Sequence, residues 1–171
     1  MRTLLLMRHA KSSWDQPGLP DLDRPLAPRG RLAAPLIARH LQTEGLIPDL
    51  VLCSPALRVQ ETWQLMSPVW GGGIASQTLR SLYPGAPVHL LETLRQLPDE
   101  VGRALLIGHN PGLAAFAAAL AAAGPKQAMQ RMGAKFGTAA VAVLTFEIDH
   151  WRALAPGSGR LESFVRPKDL D

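Results

Sequence analysis

Leu4-Leu5-Leu6-Met7-Arg8-His9-Ala10-Lys11 decides how the chain is read, because four apolar residues run directly into an arginine and a histidine. A short continuous apolar run is the pattern of a strand buried on both faces. Such strands build parallel sheets, whose ligands bind beyond the carboxyl ends of the strands. Arg8 and His9 therefore fall at a ligand-binding edge. Arginine presents a rigid fork of donors matched to phosphate oxygens, and a neutral imidazole serves as nucleophile or base near physiological pH. Taken alone, the pair reads more readily as a solvated strand end, so the weight rests on what other segments bring to the same edge.

Working outward, residues 10–28 form a loop rich in Ser, Asp, Pro and Gly, of a length more often functional than idle. A helix opening at Arg29 places Leu32, Leu36, Ile37 and Leu41 on one face and stops at Gly45. Residues 49–53 read as a second strand. Ser54 then serves as N-cap with Pro55 in the first turn, and Ala56, Val59, Trp63 and Met66 form the buried face. Arg58 lies near that helix start, where the macrodipole disfavours a cation unless an anion offsets it. A turn at Gly71-Gly72-Gly73, a short strand at 74–78 and a turn at Tyr83-Pro84-Gly85 lead to a helix with Leu90, Leu91, Leu94 and Leu97 on one face. Residues 103–108 repeat the opening logic: an apolar strand ends in Gly108 and His109, followed by Asn110 as N-cap and Pro111 at the first helical position. Leu113, Phe116 and Leu120 face the core, and Gly124 ends that helix. Residues 126–137 read as a basic connection able to cover the site, residues 138–146 and 161–165 as a terminal strand pair, and residues 168–171 as a mobile tail.

Strand and helix alternate throughout, which implies an α/β fold: a three-layer α/β/α sandwich, with a mostly parallel central sheet and an antiparallel strand pair at the C-terminal end. The 171 residues have room for one domain, 1–171. With 47% hydrophobic and 19% charged residues the chain is globular. The apolar runs at 113–123 and 138–146 are too short to cross a bilayer, and the N-terminus lacks a signal-peptide pattern, so a cytoplasmic protein is expected. Cys53 is the single cysteine, which excludes an internal disulfide and a cysteine-built metal cluster. A net charge of +4 raises the question of nucleic acid, but the basic residues are scattered and aromatics few. Neither nucleic acid nor membrane is expected as a partner; an anionic substrate is.

In a parallel sheet Arg8 with His9, Ser54 with Arg58, and His109 with Asn110 collect at one rim. Two arginines, two histidines and two helix N-termini suit a tetrahedral dianion. Paired histidines also serve metals, but those sites usually add carboxylate or cysteine ligands, and none is placed at these strand ends. Phosphoryl transfer fits better, since its catalysis consists mainly of positioning a nucleophile in line and neutralising charge on the equatorial oxygens. Neighbouring cations keep such a histidine unprotonated near neutral pH.

Arg8-His9-Ala10-Lys11-Ser12-Ser13-Trp14, Arg24-Pro25-Leu26 with Arg29-Gly30, Ser54-Pro55 with Arg58 and Thr62, and Gly108-His109-Asn110-Pro111-Gly112 together resemble the histidine phosphatase superfamily, in its small SixA-type phosphohistidine phosphatase branch. The resemblance runs in order over almost the whole chain and implies a phosphoglycerate mutase-like fold. It implies that His9 is the transiently phosphorylated nucleophile, that Arg8, Arg58 and His109 bind the phosphoryl group, and that Arg24 is a further phosphate-pocket arginine. Ser12 and Asn110, beside these residues, are expected at the substrate. No metal and no organic cofactor is implied. The chain departs from the commoner Arg-His-Gly pattern at Ala10. It carries Asp15 where larger members have asparagine, and Leu82-Tyr83-Pro84 where mutase-like members place a general acid. An alkoxide leaving group needs a proton donor, worth roughly a hundredfold or more in rate. Imidazole leaves more readily because the ring can be protonated first. The expected substrate is thus phosphohistidine on a protein, with a small phosphorylated metabolite, or a non-catalytic phospho-ligand module, as the alternatives; Asp15, Asp21 and Asp23 are the carboxylates able to fold in as donors.

Overall fold

The structure, a computed structural model, describes residues 1–170. Its sheet has seven strands: β1 (Arg2–Arg8), β2 (Leu50–Cys53), β3 (Ala75–Thr78), β4 (Arg103–Gly108), β5 (Ala121–Ala123), β6 (Val141–Phe146) and β7 (Gly159–Val165), in the order β3-β2-β4-β1-β6-β7-β5. β3, β2, β4 and β1 are parallel neighbours, β6 runs antiparallel to both β1 and β7, and β5 lies parallel to β7. The helices are α1 (Pro28–Thr43), α2 (Leu57–Met66), α3 (Pro87–Arg95), α4 (Gly112–Leu120) and α5 (Lys126–Ala134).

Alternation along β1 explains the layers, since successive side chains point to opposite faces. Leu4 and Leu6 join Leu90, Leu94, Leu113 and Phe116 of α3 and α4 on one side. Leu5 and Met7 join Ile37 and Leu41 of α1 and Val59, Trp63 and Met66 of α2 on the other. The three-layer α/β/α sandwich, mostly parallel with an antiparallel pair near its end, is the fold the alternation implied. No helix among the described residues is long and apolar enough to cross a membrane.

Local departures have physical causes. Leu32 is 76% exposed: α1 buries Gly30, Ala34, Ile37, Ala38 and Leu41, and Leu32 lies about half a turn round from Gly30. Leu97 falls beyond α3. The alanine-rich run 113–123 is not one helix; α4 stops at Leu120 and the next three residues join the sheet as β5. Residues 126–134, read as a connection, form α5, which buries Met132 and packs Ala128 and Met129 against the core. The tail is tied down rather than loose, since Leu170 packs against the core on the α1 and α2 side and the Asp169 carboxylate accepts from the Arg166 backbone and guanidinium; Asp171 lies outside the described residues.

Candidate active site

Strand register brings the two histidines together. Arg8 on β1 pairs with Gly108 on β4, so the next residue of each strand, His9 and His109, emerges at the same edge, and the His9 N–H donates to the Gly108 carbonyl at 3.1 Å. Their ring centroids are 5.3 Å apart. Cys53 on β2 pairs with Ile107, which places Ser54 beside them. Arg8, His9, Arg58 and His109 line one cleft of about 460 Å³ at the carboxyl ends of the parallel strands, with Ser12, Arg24 and Asn110 also on its wall.

The hydrogen bonds assign each imidazole a tautomer. His9 Nδ1 lies 2.7 Å from the Ala10 carbonyl oxygen. A carbonyl only accepts, so Nδ1 carries the proton and Nε2 keeps its lone pair. His109 Nδ1 accepts from Arg58 Nη2 at 3.4 Å, which leaves its Nε2–H to donate to Ser54 Oγ at 2.7 Å. Both rings are uncharged at neutral pH. Burial, reinforced by His109, Arg58 and Arg8, pushes His9 down from 6.5 to about 3 although the Ala10 carbonyl acts in the opposite sense. Burial and then Arg58 push His109 down to about 4.

Arg58, buried in the first turn of α2, does meet the anion that the helix dipole calls for. It is the Asp21 carboxylate, 2.9 Å from Arg58 Nη2, while Nη1 donates to the Asp21 backbone carbonyl at 2.7 Å. Tyr83 Oη and Arg24 Nη1 donate to the same carboxylate at 2.6 and 3.1 Å. The Tyr83 and Arg58 hydrogen bonds, with that of Arg24, hold the Asp21 carboxyl well below the usual carboxylate range. Among the three candidate acids Asp21 is thus the one at the cleft, and it is ionised, with no proton to give near neutral pH. Arg8 donates to the Phe136 carbonyl at 3.3 Å, and its Nε is buried without a partner among the described residues.

Arg24, Ser12 and Asn110 reach the cleft already engaged. Arg24 donates to Ser12 Oγ and the Ser13 carbonyl and lies flat against Trp14, 3.3 Å from the ring centroid. Asn110 donates to the Phe136 carbonyl at 2.7 Å and accepts the Ala114 N–H. These contacts fix where the three side chains sit on the cleft wall. Two capping expectations shift in the same region. α2 starts at Leu57 rather than Pro55, because Ser54 Oγ takes the Ala56 N–H and turns the chain before the helix; α4 starts at Gly112, with Asn110 reaching forward to Ala114.

Comparison with known proteins now has a geometry to meet. The family model for the histidine phosphatase superfamily (branch 1) matches residues 4–82. An uncharacterized protein of Mycobacterium tuberculosis is 35% identical over 164 residues, spanning 95% of this chain and 100% of its own length. One from Arabidopsis thaliana, described as chloroplastic, is 32% identical over 97% of this chain and 78% of its own. Among solved structures, SixA from Agrobacterium tumefaciens superposes with a TM-score of 0.81 at 28% identity, over 97% of this chain and 98% of that one. The protein histidine phosphatase SixA complexed with tungstate gives 0.78 at 25% identity, over 98% of each. This chain belongs to the histidine phosphatase superfamily, in its SixA-type branch. An α-ribazole-5′-phosphate phosphatase structure from Escherichia coli, at 16% identity and a TM-score of 0.69, shares the fold alone.

Within this histidine phosphatase fold, sequence reasoning left several supports of the cleft unassigned. Thr62, fully buried, donates to the Arg58 carbonyl at 2.7 Å and accepts the Ala10 N–H at 3.1 Å, tying α2 to the backbone just past His9. Tyr83 sets its ring edge-on to His109, with centroids 5.3 Å apart. Gly112 lies so close to the Gly85 carbonyl that a Cβ there would overlap it, which presses the Tyr83 loop against the start of α4. A glycine at 112, four residues from Gly108, was the available signal for that close approach.

Proposed function

We propose that this histidine phosphatase hydrolyses phosphohistidine on a protein by way of a phosphorylated His9. The observation that carries the reading is the His9 tautomer: Nδ1–H is committed to the Ala10 carbonyl, and Nε2 holds its lone pair at a cleft wall shared with Arg8, Arg58 and His109. In the first step His9 Nε2 forms a bond to phosphorus as the bond from phosphorus to the substrate imidazole nitrogen breaks. The leaving ring departs neutral because solvent protonates it before the bond breaks, and the hydrolysis that follows returns that proton to solvent. In the second step water attacks phospho-His9, releasing inorganic phosphate and restoring the neutral imidazole. Arg8 and Arg58 offset charge on the equatorial oxygens, and the Ala10 carbonyl steadies the positive ring that phosphorylation creates. An ionised Asp21 does not protonate an alkoxide near neutral pH, which favours a phosphoramidate over a phosphate ester.

The test is intact-mass analysis after brief exposure of the full chain to a phosphohistidine peptide, quenched under alkaline conditions. Wild type should carry one acid-labile phosphoryl group, and His9→Ala none, with turnover abolished. Retained turnover by that variant overturns the intermediate. A panel of sugar and nucleotide phosphates should be poorer substrates than the peptide; a clear preference for the esters reverses the substrate assignment in favour of a small metabolite.

A further inference from the structure

Beside the catalytic cleft opens a second cavity, of about 610 Å³, which shares Arg8, Lys11 and Thr138 with it. Its cations come from separated parts of the chain: Lys11 from the loop after β1, Arg29 from α1, Arg131 and Lys135 from α5 and its end, Arg166 and Lys168 from the last residues. With Arg8 they make seven of the 18 lysines and arginines. No acidic side chain lines the cavity among the described residues. Arg166 alone of the seven has an ion pair among the described residues, with Asp169 at 2.7 Å. The field is felt locally: the Asp169 carboxyl is pushed down to about 2 by Arg166 and, more weakly, by Arg131. Seven cations gathered with Asp169 as their one close carboxylate among the described residues repel one another and raise the potential of the groove toward an anion.

We propose that this groove docks an acidic stretch of the protein substrate, so that carboxylates flanking the phosphohistidine lie along it while the phosphoryl group enters the catalytic cleft. The proposal rests on the phosphohistidine reading of that cleft. Two observations choose an acidic peptide over a nucleic acid. No aromatic residue lines the groove among the described residues, so bases find nothing to stack on. The uncharged residues of its lining are mostly small, with Ala33, Ala134, Gly137 and Ala140, which leaves room for a backbone bearing short carboxylate side chains. A second copy of this chain is a poor occupant, since each copy carries a net charge of +4. The shared wall of Arg8, Lys11 and Thr138 sets the two cavities side by side.

The experiment uses the full chain and two phosphohistidine peptides that differ only in flanks, Asp/Glu against Asn/Gln, with binding of their unphosphorylated forms followed by fluorescence anisotropy. Acidic flanks should lower KM about tenfold at unchanged kcat, and the advantage should vanish in Arg131→Glu/Lys168→Glu and at high salt. That variant should turn over free phosphoramidate as wild type does, which shows it is folded. Arg131→Gln/Lys168→Gln should fall between the two. Equal KM and equal binding for the two peptides, or an advantage that survives charge reversal, overturns the proposal. So does tighter binding of a short RNA of equal charge. Binding of the acidic peptide that is lost on charge reversal, with no turnover of any phosphohistidine peptide, overturns the substrate assignment while the acidic-peptide site stands.

Discussion

Two neighbouring cavities share one wall and treat positive charge in opposite ways. In the catalytic cleft Arg24 and Arg58 are buried, and each guanidinium is held by named acceptors at hydrogen-bond distance. In the adjoining groove Lys11, Arg29, Lys135 and Lys168 are exposed, and none has an ion pair among the described residues. A buried, fixed cation meets developing charge without reorganising, which is what stabilising a transition state requires. Exposed, mobile cations attract at range and adapt to a partner, but each contributes little. Under the proposed reaction, the difference separates residues that set the rate from those that set the choice of substrate.

The strongest way to break that division is Arg58→Ala, which should lower kcat about a hundredfold to a thousandfold while the circular-dichroism spectrum is preserved. A loss comparable to that from changing a groove lysine would erase the distinction. Acidification should separate the cavities next. His9 and His109 titrate at about 3 and 4 in the folded protein and near 6.5 when unfolded, so between those limits the unfolded chain binds more protons. Stability therefore rises with pH across this window and is lost as pH falls below about 6.5. Urea denaturation at pH 5 and pH 7 should show the drop in wild type, a smaller drop in His9→Ala, and an unchanged one in Arg131→Gln. The acid limb of kcat/KM should likewise lie well below 6.5, since His9 stays unprotonated. Thr62→Val leaves the buried Ala10 N–H without its acceptor and should cost about 1–3 kcal/mol of unfolding free energy by the same method. Lys168→Ala should be the mildest, changing KM for an acidic peptide by roughly twofold to fivefold and leaving free phosphoramidate turnover alone.

The same contrast explains what could be read from the chain. β1, β2 and β4 were legible because a strand buried on both faces has to be apolar throughout, and parallel strands deliver whatever follows them to one edge. Arg8, His9 and His109 converge for that reason, and Arg58 joins them from the first turn of α2, the helix that follows β2. Asp21 was not separable from Asp15 and Asp23, since all three lie in one polar loop and only the folded chain shows which meets Arg58. β5 was hidden because a run of alanine has no period to distinguish strand from helix. The basic groove was invisible for a different reason: its cations enter singly from distant segments, so scattered arginines in the sequence become a concentrated field only after folding. Residues 126–134, read as a connection, form a packed helix, and two residues beyond its end the Phe136 carbonyl accepts from Arg8 and Asn110.

β1 is the middle strand of the seven, bonded along its length to β4 on one side and β6 on the other. Its amides exchange with deuterated solvent only when the sheet itself opens, and the imidazole at its tip inherits that protection. Fraying at the periphery of the fold, which loosens β3 or β5 first, leaves the nucleophile's seat undisturbed. Loss of the catalytic arrangement on heating should then coincide with global melting rather than precede it.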